Sequence, residues 1–166
     1  VIVSDPHYAC YPSFICFAGG VAKKVRVYEE DGFQYRAADI EANITDKTRA
    51  IFLNSPSNPT GNVLSAERMA KIADMEPIPV SDEIYHGLVY EGQERSILEF
   101  TDRAFVLNGF SKLYAMTGWR LGYLITPKEY IRTLQILHQN FFISASSVSQ
   151  YAGIAALKEA HDDVAN

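Results

Sequence analysis

The sequence predicts an α/β fold in which a mainly parallel sheet is covered by helices. Three observations predict it. Short apolar β-rich runs recur along the chain, helical stretches separate them, and the polar motifs follow directly after the apolar runs. Strands are expected at 1–3, 21–28, 50–53, 78–80, 104–107 and 122–125. Each is short and rich in Val, Ile, Leu, Phe or Tyr. The first, in "VIVSDPHYACY", reads as a strand entered within a protein, since it lacks the basic start and cleavage pattern of a targeting signal. A helix is expected over 65–75, where Ser65 is a good N-cap and Met69, Ile72 and Ala73 share one face. Prolines 77 and 79 follow it, and Pro79 removes a ladder donor. The strand at 78–80 is therefore expected to start late or to pair on one side only. A second helix is expected over 126–139. "TPKE" offers Thr126 as N-cap, Pro127 at the first helical position and Glu129 at the third, a capping box. Ile131, Leu134, Leu137 and Phe141 would form its buried stripe. The Ala-rich stretch 146–161 predicts a further helix.

A chain of 166 residues is long enough for one domain with a real core. A net charge of −5 argues against nucleic acid or an anionic membrane as the main partner. No apolar run approaches the roughly 18 residues a membrane span needs. Cys10 and Cys16 fit no zinc or redox spacing and read as free, buried thiols. His7, His86, His138 and His161 form no metal-ligand pattern. There is no internal repeat or linker, and both ends read as interior to a longer domain.

In open α/β sheets ligands bind beyond the carboxyl ends of the strands, and the polar motifs fall there. "AIFLN" runs into "SPSNPTG", "IPV" into "SDEIYHG", and "AFVLN" into "GFSK". Singly, each has an ordinary explanation. "SNPTG" suits a plain turn, Asp82 suits a helix cap or surface ion pair, and Lys112 suits solvent. Three such motifs after successive strands, followed by Arg120 in "GWRLGY", point instead to one site for a small charged ligand.

In this combination the chain resembles the class I/II aminotransferases, pyridoxal-phosphate enzymes of the fold-type I group. The resemblance covers about residues 1–150. It implies a three-layer α/β/α large domain with a mainly parallel mixed sheet. Residues 1–166 would be the central portion of that domain, with the N- and C-terminal parts of the enzyme outside it. It further implies pyridoxal 5'-phosphate as cofactor and transfer of an amino group between an L-amino acid and a 2-oxo acid, in a cytoplasmic homodimer. By the same resemblance Lys112 would hold the cofactor as a Schiff base and, once freed, act as general acid–base. Only a neutral amine attacks an aldehyde, and burial beside a cation such as Arg120 favours that form of a lysine. Asp82 would keep the pyridine nitrogen protonated. Asn58 and Tyr85 would hydrogen-bond the ring's phenolic oxygen, and Ser111 and Arg120 would bind the phosphate. Tyr8 would stack on the ring, while Tyr11, Tyr114 and Trp119 are assigned to packing. Gly118 and Gly122 would allow close backbone approach. The family also implies cis peptides at Asp5–Pro6 and Asn58–Pro59. The stretch between Ser65 and Asp82 is a few residues shorter than the family pattern. The family's substrate-carboxylate arginine and its glycine-rich phosphate loop lie outside these residues.

Other readings are weaker. "IPVSDE" is similar to the strand end of a nucleotide triphosphatase, but no G-x-x-x-x-G-K-[ST] accompanies it, and there is no G-x-G-x-x-G. A fold-type I C–S lyase would keep the same cofactor residues. So would an aminotransferase-like regulatory domain without catalytic function. These two alternatives stay open on sequence alone.

Overall fold

The computed structural model describes residues 1–165. Six strands form one sheet: β1 (Ile2–Asp5), β2 (Lys23–Arg26), β3 (Ala50–Asn54), β4 (Ile78–Asp82), β5 (Phe105–Gly109) and β6 (Gly122–Ile125). Their order is β2-β1-β3-β4-β5-β6. The first five are parallel, and β6 runs antiparallel to β5. The expected mixed, mainly parallel sheet is found. The strand expected at 21–28 contracts to four residues: Lys23–Arg26 are in register with Ile2–Asp5, and Val27 adds one backbone bond to the Asp5 carbonyl at the strand's end.

Helices lie on both faces. Val3 and Phe52 pack with Tyr11 and Ile15 of α1 (Tyr11–Phe17). Ile2, Val25, Ile51 and Leu53 point the other way, onto Ile40 of α2 (Ala37–Glu41) and onto Met69, Ile72 and Ala73 of α3 (Ala66–Ala73). The alternation of neighbours such as Ile51 and Phe52 between the two faces follows from the period of two in a strand. Each fully buried Ile or Leu here contributes about 1.5–3 kcal/mol of burial. Ser65 caps α3 as expected, accepting from the Arg68 amide.

Pro79 sits inside β4 without breaking it. Ile78 donates its amide to Arg49 on the β3 side, so the nitrogen of Pro79 faces β5. Pairing with β5 begins only at Val80, whereas pairing with β3 covers all five residues. The missing donor therefore falls just before the β5 ladder starts.

Two expectations about α4 (Lys128–Phe142) are corrected. Its N-cap is Pro127 rather than Thr126, and no side chain caps it. The Thr126 hydroxyl turns instead to the carbonyl of Pro127. The stripe of Ile131, Leu134, Leu137 and Phe141 is not buried. It faces β6 across an open groove, and α4 has no buried residue. The physical reason is that β6 is the edge strand of the sheet among the described residues, and its four residues are exposed, so the groove beside α4 stays open. The helix expected over 146–161 is α5 (Ser147–Glu159), which ends at Ala160 before a short α6 (His161–Ala165). The amphipathic face of α1 lies within a run of mixed character, and the sequence pattern did not mark that helix.

Both cysteines are free, but they are not both buried: Cys10 is half-buried and Cys16 exposed, on the solvent side of α1. Asp5–Pro6 and Asn58–Pro59 are cis, and so is Ser55–Pro56. Among the described residues, no helix is long and apolar enough to cross a membrane.

Candidate active site

The chain passes from β1 outward to β2 and then back across β1 to β3, so the connections leave β1 and β3 in opposite directions. A crevice opens at the carboxyl ends of strands where that reversal occurs. Here a cavity of about 340 Å³ lies beyond the ends of β1, β3, β4 and β5, within the usual range for a small-molecule site. Asn58, Asp82, Tyr85, Ser111, Lys112 and Arg120 all line it, and so does Tyr8. The structure thus brings together every site residue the sequence singled out.

Each is held by a local device. Beyond β1, the backbone turns at Pro6, His7 shares a 2.8 Å hydrogen bond with the Ser4 carbonyl, and Tyr8 stands exposed at the cavity wall. Its ring meets that of Tyr11 edge-on at 5.4 Å. At the end of β3, Asn54 organises the floor. Its amide donates to the Asp82 carbonyl (3.0 Å), while its side-chain oxygen accepts the Asn58 amide (2.6 Å). Asn58 then donates to the Tyr85 hydroxyl at 3.3 Å.

Asp82 ends β4 half-buried, with a donor on each carboxylate oxygen. Tyr11 donates its hydroxyl at 2.7 Å, and the Ile84 amide donates at 3.2 Å. Burial pushes the Asp82 carboxyl above the ordinary range, and these two donors oppose it. Burial and the adjacent Asp82 charge push the Tyr11 phenol far up, so it stays a proton donor at any physiological pH. The next residue, Glu83, is buried and accepts from the Ser81 and Ser96 hydroxyls and the Ile97 amide. Those bonds anchor the segment that carries Tyr85.

Beyond β5, the segment with Ser111 and Lys112 folds back over a small apolar cluster of Phe110, Met116 and Ala156. Gly153 of α5 lets that helix approach: a side chain there would come within 2.5 Å of Leu121. Ser149 donates to the Trp119 carbonyl at 2.7 Å. Thr117 donates to the Ser111 carbonyl (2.9 Å), and the Arg120 guanidinium donates to the Thr117 carbonyl (3.0 Å). Arg120 itself has φ +52, a left-handed conformation that disfavours any residue with a Cβ. It is the left-handed residue that ends the helical turn Thr117–Trp119, two residues before β6 begins.

Three expectations are corrected. Tyr11, assigned to packing, is bonded to Asp82 and lines the cavity. The burial expected of Lys112 is not found. It is exposed, because the cavity is open where Lys112 and Arg120 project. Trp119, also assigned to packing, is 45% exposed, and its hydrogen bonds are made by the backbone, its amide donating to the Met116 carbonyl and its carbonyl accepting from Ser149. Asn54, the last residue of "AIFLN", is a site residue that the sequence reading does not assign. The available signal was a polar residue closing an apolar strand at its carboxyl end.

The geometry is now matched by kinship. The family model for aminotransferase class I and II matches residues 1–165. The chain belongs to the class I and II aminotransferase family. Among its family relatives, the (5-formylfuran-3-yl)methyl phosphate transaminase of Methanocaldococcus jannaschii is 44% identical, over 96% of this chain and 42% of that protein. The Thermus thermophilus aspartate aminotransferase tetra mutant 1 superposes with a TM-score of 0.94 at 36% identity, over 99% of this chain and 47% of that one. The aromatic aminotransferase of Pyrococcus horikoshii OT3 gives 0.93 at 35% identity, over 99% and 46%. The fold is accordingly that of the fold-type I aminotransferase large domain in part. The chain spans less than half the length of these relatives.

The residues present suit a group with an aldehyde, an aromatic nitrogen ring and a phosphate. Lys112 offers a primary amine, Asp82 a carboxylate pinned by two donors, and Tyr8 an exposed aromatic face. Ser111, Thr117 and Arg120 gather hydroxyls and a guanidinium at the opening.

Proposed function

We propose that this chain forms the central portion of the pyridoxal-phosphate-binding large domain of an aminotransferase. The complete enzyme would move an amino group between an L-amino acid and a 2-oxo acid, as a cytoplasmic homodimer. The observation that carries this reading is the convergence of Asn58, Asp82, Tyr85, Ser111, Lys112 and Arg120 on one cavity, although other strands and helices separate them along the chain. Family membership supports it independently.

Pyridoxal phosphate, when bound, supplies an aldehyde that takes an amine and a ring that withdraws electrons from the substrate's Cα. The protein's part is to bind, orient and move protons. Arg120 and Ser111 would hold the phosphate, the first through its guanidinium and the second through its hydroxyl. Tyr8 covers one ring face. Asp82 would set its negative charge against the ring nitrogen and favour a proton there. Asn58 and Tyr85 already bond each other, and together they present donors to the phenolic oxygen. Lys112 carries the primary amine that would hold the aldehyde. As a free amine, Lys112 would be placed to move a proton at the substrate's Cα. Its Nζ stands 5.7 Å from the centre of the Tyr85 ring, close to the group that orients the phenolic oxygen.

The test is to add pyridoxal phosphate, reduce with borohydride and map the labelled peptide. The expected product is a single label on Lys112. A label confined to other lysines overturns the reading. Turnover of amino-acid and 2-oxo-acid pairs by the complete protein then separates transamination from elimination.

A further inference from the structure

We infer that Tyr11 is a positioning residue for Asp82: its hydroxyl holds the carboxylate at the cavity wall and keeps it ionised there. The inference rests on the proposed cofactor site for its purpose, but not for its geometry.

Four observations carry it. The 2.7 Å bond from Tyr11 to Asp82 Oδ2 joins residues 71 positions apart, so it is a tertiary contact and not a local turn. Tyr11 is only 5% exposed, and its ring lies 4.2 Å from that of Phe52, tilted by 32°, which fixes where the hydroxyl points. It opens α1, with the neighbouring Pro12 setting the first helical turn. The second carboxylate oxygen is taken by the Ile84 amide, so neither oxygen is free to rotate toward solvent.

The chemistry follows from which state of Asp82 can accept both bonds. A phenol and an amide are donors, and a carboxylate accepts from both, whereas a protonated carboxyl loses one acceptor site. Burial works against the charge, and the Tyr11 bond is the largest effect opposing it. The other titratable groups lining the cavity are Tyr8 beyond β1, Tyr85 beyond β4, and Lys112 and Arg120 beyond β5. None of these has a hydrogen bond to the Asp82 carboxylate, whereas Tyr11 does. Tyr11 also carries Tyr8 against its edge, so one phenol supports both the carboxylate and the aromatic wall.

The experiment uses protein with ¹³C-labelled aspartate carboxyls and follows Asp82 by NMR as a function of pH, without cofactor. Asp82→Asn assigns the signal. In Tyr11→Phe, the Asp82 midpoint moves to higher pH. With 3-fluorotyrosine at position 11, a stronger donor of nearly the same shape, it moves below the wild-type midpoint. A midpoint unchanged by both substitutions overturns the inference. If Tyr11→Phe does not fold, as judged by circular dichroism, the fluorinated protein decides alone. Pyridoxal-phosphate titrations run alongside, with Tyr11→Phe expected to bind about tenfold more weakly. Asp82 unmoved while wild-type Lys112 is labelled sinks Tyr11's role and spares the proposed function. Asp82 responding as stated while no cofactor binds does the reverse.

Discussion

The ammonium of Lys112 lies 5.7 Å from the centre of the Tyr85 ring, and the hydroxyl of that ring accepts a hydrogen bond from Asn58 at 3.3 Å. Residues from the ends of β3, β4 and β5 are thereby linked in one line across the cavity. The Tyr85 ring faces a cation and its hydroxyl faces an amide, so Tyr85 is held from both ends.

That linkage makes Asn58 and Tyr85 a coupled pair. Asn58→Ala and Tyr85→Phe are each expected to weaken pyridoxal-phosphate binding roughly 5–10-fold, the worth of one hydrogen bond. The double variant should lose clearly less than the product of the two, because each single change already disturbs the other residue's partner. Absorbance titrations of the four proteins give the comparison. Full additivity would show that the two residues act separately.

Asp82 sets stability against binding. Its carboxyl is raised in the folded state, chiefly by burial. The folded protein therefore binds a proton at Asp82 more readily than the unfolded chain does. Stability from this group falls as pH rises between the unfolded value, about 3.9, and the higher folded one, and the cost is complete above both. Asp82→Asn removes that cost and keeps an acceptor for Tyr11. Thermal unfolding without cofactor at pH 7 should show a higher midpoint than wild type, with the gap closing in acid. Cofactor affinity should fall about 10–100-fold, the worth of a charge-assisted bond. A variant both less stable and equally tight would contradict both parts.

The motifs at strand ends were legible because apolar runs stop where polar residues begin, and the sheet makes those ends converge. What the sequence did not disclose was tertiary. The bond from Tyr11 to Asp82 depends on α1 crossing the face of β1 and β3, which no local pattern specifies. The stripe on α4 was legible as apolar, but burial also requires a covering partner, and pattern alone does not say whether one is packed there. Thr126 matched a capping box by residue type, yet a proline directly after it occupies the cap position itself. Pro79 was legible as a ladder defect, and the direction of the Ile78 amide explains why it is harmless.

Gly109 and Gly122 pair across β5 and β6 at the base of the turn that carries Ser111 and Arg120. A Cβ on Gly109 would lie 2.9 Å from both the Gly122 Cα and the Leu121 carbonyl oxygen, which are backbone atoms with little room to yield. Gly109→Ala should therefore push β6 away, costing about 1–3 kcal/mol in urea unfolding. Cofactor binding should weaken in the same variant, because Ser111 and Arg120 sit at the two ends of the displaced turn. Loss of stability with unchanged binding would show that the turn holds its shape without this contact.

Asp31 lies away from the cavity, at the end of the turn Glu29–Asp31. Asp31 accepts the Arg36 Nε (3.1 Å) and both of its oxygens accept the Arg68 Nη2 (3.0 and 3.1 Å). Arg68 also donates to the Tyr35 backbone carbonyl, so α3 is tied through it to the turn at Glu29–Asp31. Arg36 foremost, and then Arg68, hold the Asp31 carboxyl below the usual carboxylate range. A depressed folded value means the unfolded chain takes up the proton first. The stabilisation is thus complete above the unfolded value of about 3.9 and disappears as pH falls through the lower folded one. Asp31→Asn should lower the urea midpoint at pH 7, and the difference from wild type should shrink steadily below about pH 4. High salt should shrink it as well, since the groups are near the surface and screened. A difference independent of both pH and salt would mean that Asp31 acts through packing, with its charge irrelevant to the hold on α3.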